Sequence, residues 1–169
     1  MLIRAENNDD YEKVHDVVQR AFAQARESDG NEHELVTALR GSGSFIPQLS
    51  LVAEEEGDIV GHILFTKLRI GYSVELALAP LSVIPERQRQ GLGTALVEAG
   101  HTIAGSMGFK YIVVLGDDRY YSRFGYVPAS RFGIQAPFAV PDHYYMAINL
   151  LGKDTPLNGV VEYAKEFGI

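Results

Sequence analysis

The chain has 169 residues, a formal net charge of -7 at pH 7, 46% hydrophobic and 22% charged residues, which suits a single soluble domain with a substantial core. That charge argues against a nucleic-acid partner, which needs a basic face for phosphates, and no apolar run is long enough to span a bilayer, so no membrane partner is expected. Cysteine is absent, which removes disulfides, thiolate metal sites and a cysteine nucleophile together, and MLIRAENNDD lacks the basic and apolar regions of a signal peptide, so a cytoplasmic protein is expected.

Leu2 to Arg4 is a short strand candidate, and Asn8, Asp9 or Asp10 can cap the helix behind it. From Tyr11 to Ala25, the residues Val14, Val17, Val18, Ala21, Phe22 and Ala25 recur at helical spacing. A second helix is predicted over Glu32 to Arg40, with Leu35, Val36 and Leu39 facing inward and GSGS ending it. The period then changes. Leu51 to Glu54, Ile59 to Ile70 and Val74 to Val83 read as three successive strands, and the short turns around Gly57 and Gly71 make them antiparallel neighbours.

Leu92 to Met107 carries one apolar helical stripe and Gly108 ends it. Lys110 to Leu115 is a buried strand, expected to run parallel to the Leu78 to Val83 strand by a right-handed crossover. Asp117 to Phe124 has room for one short helix, Gly125 to Val127 is extended, and Pro128 to Pro141 reads as a long loop. Tyr144 to Leu151 is a last strand, after which Pro156 opens a predicted terminal helix through Phe167. Together these elements describe one α/β domain around a mixed sheet.

Chemistry concentrates between Leu78 and Leu96. An apolar strand through Val83 leads to Pro85, a loop with Arg87 and Arg89, and then Gly91 and Gly93 at the head of a helix. Such a helix start offers unpaired N–H groups and partial positive charge to an anion, and glycine lets the ligand approach the main chain. A P-loop requires a lysine before its Ser or Thr, whereas Gly93 is followed directly by Thr94. The dinucleotide fingerprint wants a small residue where Leu96 stands, within a series of parallel strands. Coenzyme A is the remaining common user of such a turn.

Gln88-Arg89-Gln90-Gly91-Leu92-Gly93 matches the Gln/Arg-x-x-Gly-x-Gly/Ala signature of the GNAT N-acetyltransferase superfamily, and Tyr121-Ser122-Arg123-Phe124-Gly125-Tyr126 resembles its Tyr-x-x-x-Gly-Phe/Tyr segment. Order and separation of the two agree with the family. The resemblance covers residues 1–151 and implies one α/β domain with a mixed, mostly antiparallel sheet flanked by helices. Residues 152–169 lie outside it, as a helical extension expected to pack on the domain or on a partner subunit, which makes a homodimer one expected assembly.

What the resemblance implies can be placed on this sequence. Acetyl-CoA is the cosubstrate and no metal is needed. Backbone amides of Gln88, Arg89, Gln90, Gly91, Leu92, Gly93 and Thr94 hold its pyrophosphate, with charge from Arg87 and Arg89. Main-chain groups of Leu81, Ser82 and Val83 pair with the pantetheine arm, and Tyr121 protonates the departing sulfur. The implied reaction is direct attack of a primary amine on the thioester, through a tetrahedral intermediate. The acceptor would be a small-molecule or peptide amine.

A base for that amine is sought among Glu32, Glu34, Glu75 and Asp142, with Glu75 preferred because it lies on the strand leading to the active centre. One departure from the family stands out: many relatives carry an asparagine where this chain reads Gly116-Asp117-Asp118, so an aspartate or a backbone group substitutes, or that pantetheine contact is absent. His15, His33, His62, His101 and His143 are scattered without ligand spacing, which argues against a metal site. From another class, the chain could be a non-catalytic acyl-CoA-binding or regulatory module that kept the cradle and lost the chemistry.

Overall fold

The computed structural model describes residues 1–25, 28–153 and 155–169. The first strand, β1 (Leu2–Ala5), leads into a turn where the Asn7 side chain and the Asp10 carboxylate satisfy each other's free backbone amides. Arg4 grips Asp10 through two hydrogen bonds of 2.7 and 3.0 Å, which fixes the start of helix α1 (Tyr11–Phe22). Helix α2 (Glu32–Arg40) follows, and the valines Val14, Val17, Val18 and Val36 with Leu39 form the stripe that α1 and α2 bury against one face of the sheet.

That sheet is built from β2 (Phe45–Glu55), β3 (Asp58–Ile70) and β4 (Ser73–Val83), then, beyond helix α3 (Leu92–Ser106), from β5 (Tyr111–Leu115). A short helix α4 (Asp118–Tyr121) precedes the two-residue strands β6 (Val127–Pro128) and β7 (Ile134–Gln135), then β8 (Tyr145–Asn149) and β9 (Gly159–Glu162). The order across the sheet is β1-β2-β3-β4-β5-β8-β6, antiparallel except for the parallel β4–β5 pair. Helix α3 covers the face opposite α1 and α2, where Leu92, Leu96, Val97 and Ala104 join Leu51, Ile63 and Phe65. Among the described residues no helix is long and apolar enough to cross a membrane.

Three expectations change. The loop from Pro128 to Pro141 contains a 3₁₀ turn and β7. Among its described residues the tail holds no α-helix, only a 3₁₀ turn at Lys165–Phe167: Gly159–Glu162 is a strand, antiparallel to the end of β3 at Arg69 and Ile70 and parallel to β7. Its β-branched Val160 and Val161 suit a pleated surface, and Val161 is buried while Val160 faces out. Strand β2 also begins at Phe45, well before the expected Leu51.

The parallel pair is short, and that positions the site. Strands β4 and β5 match only at Leu76 with Ile112 and Ala77 with Val113. Between the Ile63–Leu81 and Phe65–Leu78 pairs, β4 carries one residue more than β3, a bulge beside the cis Ala79–Pro80 peptide. Past it β4 stays on β3 while β5 follows β8, so the two diverge and leave a cleft between them.

Candidate active site

At the end of β4 the chain makes a 3₁₀ turn, Pro85–Arg87, and reaches α3 through a loop tied to itself: the Gln88 side chain donates to the Val83 carbonyl and that of Gln90 to the Glu86 carbonyl, both at 3.1 Å. Arg89 sits at φ +63°, a left-handed conformation that costs a non-glycine residue roughly 1–2 kcal/mol. Gly91, at φ +87°, is the N-cap of α3 and offers no side chain to the helix, so the first amides face outward. A Cβ on Gly91 would meet nothing within 4 Å, whereas one on Gly93 would meet the Tyr120 hydroxyl at 2.5 Å.

This helix start opens on a cleft of about 820 Å³. Leu81, Val83, Arg87, Gln88, Arg89, Gly91, Gly93 and Thr94 form one wall, and Asp117, Arg119, Tyr120 and Arg123 the other. Most of the residues singled out in the sequence therefore meet. Leu92 instead points into the core, Ser82 is buried with its hydroxyl unpartnered, and Gln90 stays in the loop outside the lining.

The charges are uneven. Arg87 is paired with Glu55 at 3.0 Å and Arg119 with Asp117 at 3.3 Å, and the Asp117 carboxyl is held below the usual range by hydrogen bonds from the Arg119 side chain and backbone. Arg89 and Arg123 have no carboxylate partner among the described residues. Arg123 lies over the Tyr120 ring, 4.6 Å from its centroid. Sequence reasoning missed Arg119, Tyr120 and Arg123; two arginines flanking a tyrosine pair in an acidic chain were the available signal.

Tyr121 packs behind Tyr120, with its ring against Gly116 and edge-to-face on Tyr126 at 5.6 Å. Burial, and then the neighbouring Tyr120, push its phenol well above the ordinary range, so it stays protonated. Tyr120 lines the cleft and Tyr121 does not.

The structure separates the carboxylate candidates. Glu75 is buried at the start of β4, where Oε1 accepts from the amides of Lys110 (2.8 Å) and Tyr111 (3.3 Å) and Oε2 from the Ser73 hydroxyl (2.6 Å). It anchors the entry of β5. Leu81 lies six residues further along β4, about 20 Å by strand rise, so Glu75 does not reach the cleft. Its preference as base is corrected on that ground. Glu34 and Asp142 are exposed and line neither this cleft nor the one next to it.

Glu32 borders that second cleft, about 650 Å³, which shares Asp117 and Arg119 with the first. Its Oε1 accepts from the Ser28 hydroxyl. Among the described residues no group of three or more His, Cys, Asp or Glu could hold a metal ion.

Comparison with known proteins places these features. Residues 47–128 match the family described as the Acetyltransferase (GNAT) domain. The chain is similar to the uncharacterized N-acetyltransferase YjhQ of Escherichia coli K12, with 36% identity over 163 residues covering 92% of this chain and 87% of that protein. Among solved structures it resembles a GNAT family acetyltransferase from Brucella melitensis in complex with acetyl-CoA, at TM-score 0.81 and 34% identity, covering 98% and 97% of the two chains. It also resembles YhbS of Escherichia coli in complex with CoA, at TM-score 0.86 and 30% identity, covering 99% and 92%.

Proposed function

Since the chain belongs to the GNAT acetyltransferase family, we propose that it is a cytoplasmic enzyme that moves acetyl from acetyl-CoA to a primary amine on a small molecule or peptide. The observation that carries this reading is the uncapped start of α3, opening on an arginine-walled cleft between the diverging strands β4 and β5. The residues fit the coenzyme. Nothing stands in front of Gly91, and Arg89 and Arg123 supply charge without a carboxylate partner among the described residues.

Bound there, acetyl-CoA supplies an activated acyl group. Amides from Gln88 to Thr94 hold the pyrophosphate with the dipole of α3 behind them, and Leu81 to Val83 offer main-chain groups to the pantetheine arm. The amine, having lost one proton to solvent, attacks the thioester carbon; the carbonyl oxygen takes up charge, the C–S bond breaks as the sulfur takes a proton from a phenol, and the proton that the new amide nitrogen releases restores that phenol. An N–H near Val83 steadies the oxyanion, worth about 3–4 kcal/mol for one such donor. Tyr121, kept neutral by burial and packed directly behind the cleft-lining Tyr120, is the proposed source of that proton, which requires the thioester end of the coenzyme to lie against the Tyr120–Tyr121 pair.

Gly91→Trp fills the cradle and should abolish acetyl-CoA binding by calorimetry; unchanged affinity would remove this loop from the site. Tyr121→Phe should lower turnover about 10²-fold, measured as free thiol released, with little change in coenzyme affinity. An undiminished rate would exclude Tyr121 as the acid. Binding of acetyl-CoA with no transfer to any of a broad set of amines would return the chain to the non-catalytic reading.

A further inference from the structure

The second cleft lies where β5 ends, and its common wall with the coenzyme cleft, Asp117 and Arg119, stands where β4 and β5 have parted. A molecule held there approaches the same gap from the side of α1 and α2. Two large apolar residues line it while exposed, Leu115 at 53% and Tyr144 at 42%. Phe22 and Val140 extend that surface. Exposed apolar groups that converge in a concavity mark a site for an apolar ligand body.

The charge around them selects a cation. Among the described lining residues Glu32, Asp117 and Asp118 are acidic, and the single cation, Arg119, is already paired with Asp117. Glu32 gives one oxygen to Ser28 and its other is shielded from solvent, so it acts through its field rather than by contact.

Resting on the acetyltransferase reading, we propose that this second cleft takes the acceptor, and that the acceptor is a primary amine on a hydrocarbon body. The ammonium is drawn by Glu32 and Asp118, the carboxylates left over once Arg119 pairs with Asp117, and the body lies on Leu115 and Tyr144.

The test compares 2-phenylethylamine with ethanolamine, which present the same amine on apolar and polar bodies; spermidine and kanamycin serve as polycationic alternatives. Wild-type protein should favour 2-phenylethylamine over ethanolamine in kcat/KM by about tenfold or more. Tyr144→Ala and, separately, Leu115→Asn should shrink that ratio through KM for the amine, with acetyl-CoA Kd unchanged. Glu98→Gln, an exposed charge change on α3, should leave it intact. Equal or reversed preference, or transfer only to the polycations, overturns the proposal while the acetyltransferase reading stands. A ratio untouched by both cleft variants overturns it as well. Failure to bind acetyl-CoA, or to acetylate any amine, sinks both.

Discussion

His62 is fully buried on β3, with Nε2 2.9 Å from the Ser50 hydroxyl, and Glu6 and Arg40 beside it. Burial lowers its pKa from 6.5 to about 4, against the opposing pull of Glu6 and with some help from Arg40. Its folded value is thus depressed. The stability it contributes is whole above about pH 6.5 and drains as the unfolded chain takes up a proton that the folded protein refuses, until pH nears 4. Each pH unit costs about 1.4 kcal/mol, or about 3 kcal/mol over the window. His101, bonded to Tyr126 and lowered by burial to about 4, acts in the same direction but less, being partly exposed. Urea unfolding between pH 7.5 and 4.5 should show this decline, and His62→Gln should flatten it. An equal slope in the variant would dismiss His62 as its source.

At the level of whole elements, the buried carboxylate of Glu75 joins strands rather than substrates. Glu75→Gln should destabilise the protein by about 1–3 kcal/mol, because Gln offers one carbonyl oxygen for donors that two carboxylate oxygens now serve. Turnover per folded molecule should hold, and a selective fall in kcat would restore Glu75 to the chemistry. Spacing along the chain placed it on the right strand but could not say at which end the cleft lies. That depends on where β4 leaves β5, a long-range fact.

The same division runs through the rest. Helices α1 to α3 and the meander were legible because their patterns are local: valines at helical spacing, then period-two strands between glycine turns. The start of β2 was obscured by Pro47, which sits where the β2–β3 register slips between Phe45 and Ser50. The tail misled because Pro156 reads as a helix opening, while what decided its structure was the edge of β3 beyond Thr66, where β2 no longer pairs. One wall of the cleft was likewise readable in Gln88 to Thr94. The other wall, with Tyr120 and Arg123, came close only through the crossover that sets β5 beside β4.

For the molecule as a whole, the single sheet ties both clefts into one frame. Strand β9 closes the free edge of β3 and, through β7, steadies the stretch that carries Val140 and Tyr144 into the second cleft. Against a net charge of -7, arginines gather at the first cleft, so a polyanion meets local attraction on a body that repels it at a distance.

Arg87 gives that attraction an unusual dependence on salt. It lines the cleft proposed for the coenzyme yet is engaged by Glu55, and its neighbour Glu86 is held by Arg20 at 2.6 Å. Added electrolyte screens the phosphates from the arginines, and it also loosens Arg87 from Glu55, releasing a cation toward the same phosphates. The two effects oppose each other. Titrating acetyl-CoA over a range of ionic strength should show Kd rising less steeply in the wild type than in Glu55→Gln, where Arg87 is free from the start; matching slopes would mean that Arg87 never turns from its carboxylate to the coenzyme.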